Sequence, residues 1–251
     1  MLIRMESMIN CRHTRPNSQL RLFCFPWAGG GTNYYVNWAK TLSDSIEVCA
    51  VRLAGREIRL NDKPCGDMLT TVANIANTLL PKFQSKPFAF FGHSMGSVLS
   101  FEVALYLKKY YGLEPVHLFV SGFTSPQSAG QRIATDWINM PEDEFLENIK
   151  RIGGTPQEVL ENRDLMKMYM PSLRADFHMV SHYRYNLPDS VPLTCPVSFT
   201  DGDNDKPHDV AGWAKITNGE FKSQTMPGGH FYFYNKENER QLLKYITEKL
   251  L

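Results

Sequence analysis

Short apolar runs rich in β-branched and aromatic residues alternate along the chain with amphipathic stretches. The apolar runs that predict strands span residues 20–25, 46–53, 87–92, 116–122 and 194–200. Apolar positions at helical spacing predict helices over residues 67–82, 95–111 and 236–250. Such runs suit strands covered on both faces of a parallel sheet. The alternation therefore predicts an α/β fold with a doubly wound, mostly parallel sheet.

One interval departs from this alternation, because about seventy residues separate the run at 116–122 from the run at 194–200. Helical stretches fill the interval, and its expected helix breakers are Gly153, Gly154, Pro156 and Pro171. Apolar, Met-rich short helices at the end of a sheet would form a lid over a binding cleft. An ordinary extra helical layer is the alternative. We predict one domain over residues 1–251, with a lid inserted at about 127–186.

The sharpest local signal is GHSMG at residues 92–96, directly after a predicted strand and directly before a predicted helix. This GxSxG sequence in a strand-turn-helix context predicts a nucleophile elbow that exposes Ser94 at the C-terminal edge of the sheet. The turn needs Gly92 and Gly96 because side chains there would collide with strand and helix. The helix N-terminus offers the Met95 backbone N–H as one donor of an oxyanion hole. A chance GxSxG in a loop is the alternative.

A serine hydroxyl needs a base, and in this kind of fold the chain order is serine, acid, histidine. Two histidines follow the last long gap, and we favour His230, in a turn before the terminal helix, over His208, which we expect to be solvent-exposed. The acid should come from the loop after the run at 194–200. We choose Asp205 and place Asp203 second. The cluster also contains Asp201 and Asp209, and at least two of its four carboxylates are expected to be solvated turn residues.

The loop after the first predicted strand reads FPWAGGG at residues 25–31. Its glycines allow the backbone to approach a ligand closely, and its position suits the second donor of an oxyanion hole. We predict that this donor is the Ala28 backbone N–H. The loop lacks GxGxxG and the lysine of a P-loop, so a phosphate-binding function is disfavoured.

Composition excludes several classes of function. The chain carries 27 Lys and Arg against 26 Asp and Glu, so it has no basic excess for nucleic acid. Neither a signal peptide nor a run of eighteen apolar residues is present, which predicts a cytoplasmic protein without a membrane partner. The five cysteines are scattered without a CxxC pair, so neither a disulfide framework nor a zinc site is indicated.

Four segments together carry a family resemblance: FPWAGGG, GHSMG at residues 92–96, GREIR at 55–59 and PGGHFY at 227–232. The chain resembles the type II thioesterases, which include stand-alone enzymes of polyketide and nonribosomal peptide synthetases and the medium-chain thioesterase of animal fatty acid synthesis. The resemblance covers residues 20–250. GGTPQEVL at 153–160 and PSLRADF at 171–177 resemble the lid of that family.

The resemblance implies an α/β-hydrolase fold with a helical lid, the triad Ser94, Asp205 and His230, and oxyanion donors at Met95 and Ala28. It further implies hydrolysis of acyl groups from the phosphopantetheine arm of carrier proteins, through an acyl-serine intermediate, without a metal or an organic cofactor. We also expect a monomer. The chain departs from the family at Ala54, where proline is usual, and at Trp27, which is expected to narrow the mouth of the cleft.

The runs IEVCAVRL and HLFVSG favour editing of stalled synthetase modules as the function. Three other functions stay open. The first is release of medium-chain fatty acids from a fatty acid synthase. The second is hydrolysis of free oxygen esters by a carboxylesterase or lipase, since the same triad supports it. The third is a non-catalytic hydrolase-like binding protein, which is disfavoured because all three types of triad residue are present.

Overall fold

The central sheet determines where every candidate residue lies. The computed structural model describes residues 2–131, 133–152 and 162–251. Within these ranges the strands are β1 (Ile9–Asn10), β2 (Leu20–Phe25), β3 (Ile46–Val51), β4 (Phe88–His93), β5 (Leu118–Ser121), β6 (Val197–Gly202) and β7 (Phe221–Met226). They form one sheet in the order β1-β3-β2-β4-β5-β6-β7. Only β1 runs antiparallel to its neighbour, so the expected mostly parallel sheet is confirmed.

Helices connect the strands and cover both faces of the sheet. The α-helices of the described residues are α1 (Leu2–Met8), α2 (Asn33–Val36), α3 (Met68–Ser85), α4 (Met95–Tyr111), α5 (Pro126–Ala129), α6 (Glu142–Ile152), α7 (Arg163–Ser181), α8 (Val210–Ala214) and α9 (Lys236–Leu250). The predicted helices at 67–82, 95–111 and 236–250 therefore correspond to α3, α4 and α9. None of the helices in the described part of the chain combines the length and the apolar character that a membrane crossing requires.

The core has a separate cluster on each face of the sheet because successive side chains of a strand point to opposite faces. On β2, Phe23 and Phe25 join the cluster that contains residues of α3 and α4, whereas Leu22 and Cys24 join the cluster that contains residues of α9. Every side chain of β2, β3 and β4 is buried. This double burial is why these strands were visible in the sequence as mainly apolar runs, whose charged residues Arg21 and Glu47 pair with each other.

The long interval after β5 contains α5, α6 and α7, and a small core of its own joins Trp137, Phe145, Ile149, Met166 and Leu173. Pro171 was expected to break a helix, and this prediction is wrong, because α7 runs through it. Met166 before the proline and Leu173 after it pack in the same cluster, so tertiary contacts offset the lost backbone hydrogen bond. The other expected breakers and GGTPQEVL at 153–160 lie outside the described residues.

We call residues 127–186 the insertion. Glu102 on helix α4 contacts the end of the insertion, and the pKa of its carboxyl group is perturbed. The Tyr183 hydroxyl donates to Glu102 Oε1 over 2.6 Å. Burial raises the pKa of Glu102 above its ordinary value of 4.5, although the Tyr183 hydrogen bond opposes the change. The folded protein therefore binds this proton more tightly than the unfolded chain does. The resulting stability is complete below the ordinary pKa and is lost as the pH rises through the folded-state pKa.

We expect Glu102→Gln to raise the melting temperature at pH 7 to 8, because glutamine still accepts from Tyr183 and carries no buried charge. Each kcal/mol gained corresponds to roughly 2–4 °C for a chain of this length. The difference from wild type should shrink as the pH falls below about 4.5, where Glu102 is protonated in both states. Thermal unfolding between about pH 4 and pH 8, followed by circular dichroism, measures the difference in melting temperature. A variant less stable than wild type at pH 8 would contradict the assignment.

Candidate active site

The loops that follow β2, β4, β6 and β7 meet at the C-terminal edge of the sheet, where ligands bind in open α/β folds. They carry Ala28, Ser94, Asp205 and His230 respectively. All four residues line one cleft of about 990 Å³, together with Met95. The structure therefore brings together every residue of the predicted triad and oxyanion hole.

Ser94 occupies the sharp turn between β4 and α4 with a left-handed backbone, φ 54° and ψ −122°. Non-glycine residues rarely adopt this conformation, and such strain is typical of functional turns. The flanking glycines are required by close packing. A Cβ atom on Gly92 would lie 2.0 Å from the Gly96 carbonyl oxygen, and a Cβ on Gly96 would lie 2.2 Å from the Phe25 carbonyl oxygen. The elbow geometry thus explains the GxSxG pattern.

His230 and Asp205 form a close pair in the cleft. The distance between His230 Nδ1 and Asp205 Oδ2 is 2.6 Å, and the Asp205 side chain is only 7 % exposed. Burial alone would raise the pKa of Asp205, but the hydrogen bond from His230 and the charge of that imidazole lower it below the ordinary 3.8. Asp205 is therefore ionised at neutral pH. With Nδ1 bonded to Asp205, Nε2 is the ring nitrogen that has no partner in the described chain, as a general base requires.

A buried polar chain supports the elbow and the histidine loop from below. His93 Nδ1 lies 2.9 Å from Ser121 Oγ, which lies 2.9 Å from the Tyr232 hydroxyl. The His93 ring also packs 4.7 Å from the His230 ring. Burial and the nearby His230 charge hold the pKa of His93 well below its usual range. His93 is therefore a neutral support for His230 rather than a competing base.

The competing candidates take other positions. His208 was expected to be solvent-exposed, and this is wrong, because its side chain is fully buried. Its Nδ1 lies 2.7 Å from Asp201 Oδ2, so Asp201 is its buried partner. Asp209 accepts from Ser125 Oγ and caps α8. Asp203 is exposed and accepts from the Gly228 N–H, 2.9 Å away.

Two residues that line the cleft carry backbone donors without an acceptor in the described chain. These are the N–H groups of Met95, at the N-terminus of α4, and Ala28. Two open backbone donors at one cleft are suited to bind an anionic or carbonyl oxygen of a ligand. Both are the donors expected from the sequence, and their function in an oxyanion hole stays a prediction.

Trp27 forms an aromatic wall with neighbouring rings. Its indole lies 5.3 Å from the Phe231 ring and 5.9 Å from the Tyr34 ring, and all three line the cleft. Helix α7 contributes apolar side chains at helical spacing to the same cleft, namely Tyr169, Leu173, Phe177 and Val180. The cleft is therefore suited to an apolar chain. That the insertion moves as a lid stays a prediction.

Sequence reasoning missed one buried ion pair beside the cleft. Arg56 and Asp176 lie 2.9 Å apart with side chains 2 % and 3 % exposed. Both belong to segments that carried the family resemblance, GREIR and PSLRADF, but no chemistry was attached to them. The matching segments were the only signal in the sequence, because 120 residues separate the partners along the chain.

Among the described residues, one group of potential metal ligands is close enough to share an ion. The ligand atoms of Asp201, Asp205 and His208 lie within 4.8 Å of one another. Asp205 is bonded to His230, and His208 is bonded to Asp201. An ion would have to displace these hydrogen bonds, so the group fits its two His–Asp pairs better than a metal. The expectation that no cofactor is required stays a prediction.

The thioesterase domain family matches residues 20–250 of this sequence. The chain belongs to the thioesterase family. The medium-chain S-acyl fatty acid synthase thioesterase of Rattus norvegicus is 38 % identical over 247 residues, covering 98 % of this chain and 94 % of the rat protein. The gramicidin S biosynthesis protein GrsT of Aneurinibacillus migulanus is 34 % identical over 236 residues, covering 93 % and 90 %.

The solved structures agree with this thioesterase assignment. The type II thioesterase BorB from the borrelidin biosynthetic cluster superposes with a TM-score of 0.82 at 31 % identity, covering 98 % of both chains. The resemblance to the type II thioesterases and the α/β-hydrolase fold are thus both confirmed.

Proposed function

We propose that this chain is a serine thioesterase that removes acyl groups from the phosphopantetheine arm of carrier proteins. One observation carries the proposal: Ser94 lies on a strained elbow in the same cleft as the 2.6 Å pair of His230 and Asp205. Membership of the thioesterase family supports the thioester as the bond cleaved. The proposed task is editing of stalled polyketide or nonribosomal peptide synthetase modules. Similarity to GrsT, a gramicidin S biosynthesis protein, supports this task.

In the first half of the proposed reaction, Ser94 Oγ attacks the thioester carbonyl carbon while His230 Nε2 takes the hydroxyl proton. The carbonyl oxygen becomes an oxyanion that accepts hydrogen bonds from the Ala28 and Met95 N–H groups. Collapse of this intermediate breaks the carbon–sulfur bond, and the proton held by His230 passes to the departing thiolate. The product is an acyl ester of Ser94 and a free pantetheine thiol.

The second half releases the acid. A water molecule gives a proton to His230 Nε2 and attacks the acyl-serine carbonyl, and the same two N–H groups bind the new oxyanion. The ester bond breaks, Ser94 recovers its proton from His230, and a carboxylic acid leaves. Asp205 stays ionised throughout and stabilises the imidazolium that forms in each half.

Release of medium-chain fatty acids from a fatty acid synthase is the second candidate. Identity of 38 % to the rat medium-chain enzyme favours it. The apolar cleft of about 990 Å³ is large enough for a medium acyl chain as well as a short one. The two candidates share a mechanism and differ in the acyl chain and the carrier. We also propose that the protein is cytoplasmic and monomeric.

The decisive experiment measures release of acetyl, hexanoyl and decanoyl groups from a loaded carrier protein, followed by the thiol set free, beside a matched oxygen ester of each acid. Editing predicts that all three chains are cleared at rates within about an order of magnitude. A preference for decanoyl far beyond that supports fatty acid release instead. Faster hydrolysis of the oxygen esters than of the thioesters would overturn both.

A further inference from the structure

The buried pair of Arg56 and Asp176 holds the loop that carries Ala28. Asp176 Oδ2 accepts from the Gly29 N–H over 2.7 Å, and Asp176 Oδ1 accepts from Arg56 Nη2 over 2.9 Å. Arg56 Nη1 in turn donates to the Gly30 carbonyl over 2.8 Å. One ion pair therefore fixes the Ala28–Gly29 and Gly30–Gly31 peptide groups of this loop. Asp176 lies on α7, so the anchor of the loop comes from the insertion.

The turn at this loop explains why two peptide groups need an anchor. The Gly30 N–H donates to the Trp27 carbonyl over 2.8 Å, closing a four-residue turn with Ala28 and Gly29 at its centre. Gly29 has φ +74°, which the third position of a type II turn requires. The Trp27 carbonyl shares a peptide group with the Ala28 N–H, so this turn hydrogen bond also fixes the direction of that N–H. Rotation of the Ala28–Gly29 peptide would disturb the turn. The hydrogen bond to Asp176 opposes that rotation.

We propose that Asp176, oriented by Arg56, is a positioning residue that fixes the Ala28 N–H as an oxyanion donor. The proposal rests on the proposed function, since it assigns a task to Ala28 in thioester hydrolysis. A donor aimed at the oxyanion acts in the transition state and contributes little to substrate binding. Loss of Asp176 therefore lowers kcat and leaves KM nearly unchanged.

The test compares Asp176→Asn with wild type on an acyl-pantetheine thioester. Asparagine keeps the size of the side chain but cannot accept from both Gly29 and Arg56 as a carboxylate does. We expect kcat to fall on the order of 10- to 100-fold. This fall is no larger than the fall in kcat expected when a whole oxyanion donor is removed. Affinity for an alkyl trifluoromethyl ketone, which forms an oxyanion when Ser94 adds to it, should fall by a similar factor.

Two matched variants separate positioning from general structure. Ser172→Ala removes another bond between α7 and the same region, from Ser172 Oγ to the Gly55 carbonyl over 2.5 Å, without touching the Ala28 loop. Glu47→Gln weakens a different buried ion pair, with Arg21, near the N-terminal end of the sheet. Both should lower stability while leaving kcat and ketone affinity within about threefold of wild type.

If Asp176→Asn does not fold, Arg56→Lys decides, because lysine keeps the charge but lacks the forked geometry that reaches both Asp176 and Gly30. It should also lower kcat and ketone affinity together. A folded Asp176→Asn or Arg56→Lys with wild-type kcat, or a loss confined to KM, would overturn the proposal. The proposed function fails by a different result, namely full activity in Ser94→Ala.

Discussion

Ser94→Ala should lower kcat for thioester hydrolysis by on the order of 10⁴-fold or more, with little change in substrate affinity. Removal of the nucleophile of a serine hydrolase disables the whole triad, so the effect is far larger than that of any supporting residue. The substitution removes one oxygen atom from a cleft that is otherwise unchanged. Thiol release from an acyl-pantetheine measures the rate, and a melting curve checks the fold.

Ser181→Ala provides the matched control. Ser181 also lines the cleft, and its hydroxyl bonds to the backbone carbonyls of Thr135 and His178. The same chemical change is therefore made in the same cleft, away from the elbow. We expect activity within a few-fold of wild type. Equal losses in the two variants would mean that the serines support the shape of the cleft and that Ser94 is not the nucleophile.

Asp205→Asn should lower kcat by about 10⁴-fold, the scale of losing the triad acid. The Asp205 carboxylate accepts from His230 Nδ1, and this fixes the tautomer in which Nε2 is free to take a proton. An asparagine amide can donate to Nδ1 instead, which favours the proton on Nε2 and blocks the base. A profile of kcat against pH for wild type and variant checks this.

Asp203→Asn is the control for the acid, since Asp203 was the second candidate from the sequence. Its side chain is exposed, and its Oδ1 accepts from the Gly228 N–H, a bond that asparagine can also accept. We expect less than a tenfold change in kcat. If Asp203→Asn were the inactive variant and Asp205→Asn were active, the triad would have to be reassigned.

The elbow could be predicted from the sequence because all its requirements are local. Ser94 and the glycines around it lie within five residues, between a strand and a helix that are apolar enough to recognise. The sheet was predictable for a related reason. Burial on both faces leaves continuous apolar runs. β1 was missed because it is two residues long, and β7 because much of its length is exposed.

Features that depend on distant contacts could not be predicted. The environment of His208 is decided by Asp201, and a polar local sequence gave no sign that the pair is buried. The helix through Pro171 persists because of packing on both sides of the proline. The pair of Arg56 and Asp176 joins segments 120 residues apart. In each case tertiary structure outweighs the local preference on which sequence reasoning depends.

In the proposed reaction, Ser94 carries the acyl group during hydrolysis. The most direct measurement mixes the enzyme with an acyl-loaded carrier protein, quenches the reaction in acid within milliseconds to seconds, and maps covalent adducts by peptide mass spectrometry. We expect an adduct with the mass of the acyl group on the peptide containing Ser94, absent from Ser94→Ala. An adduct on another residue, or thioester hydrolysis at the wild-type rate by Ser94→Ala, would contradict it.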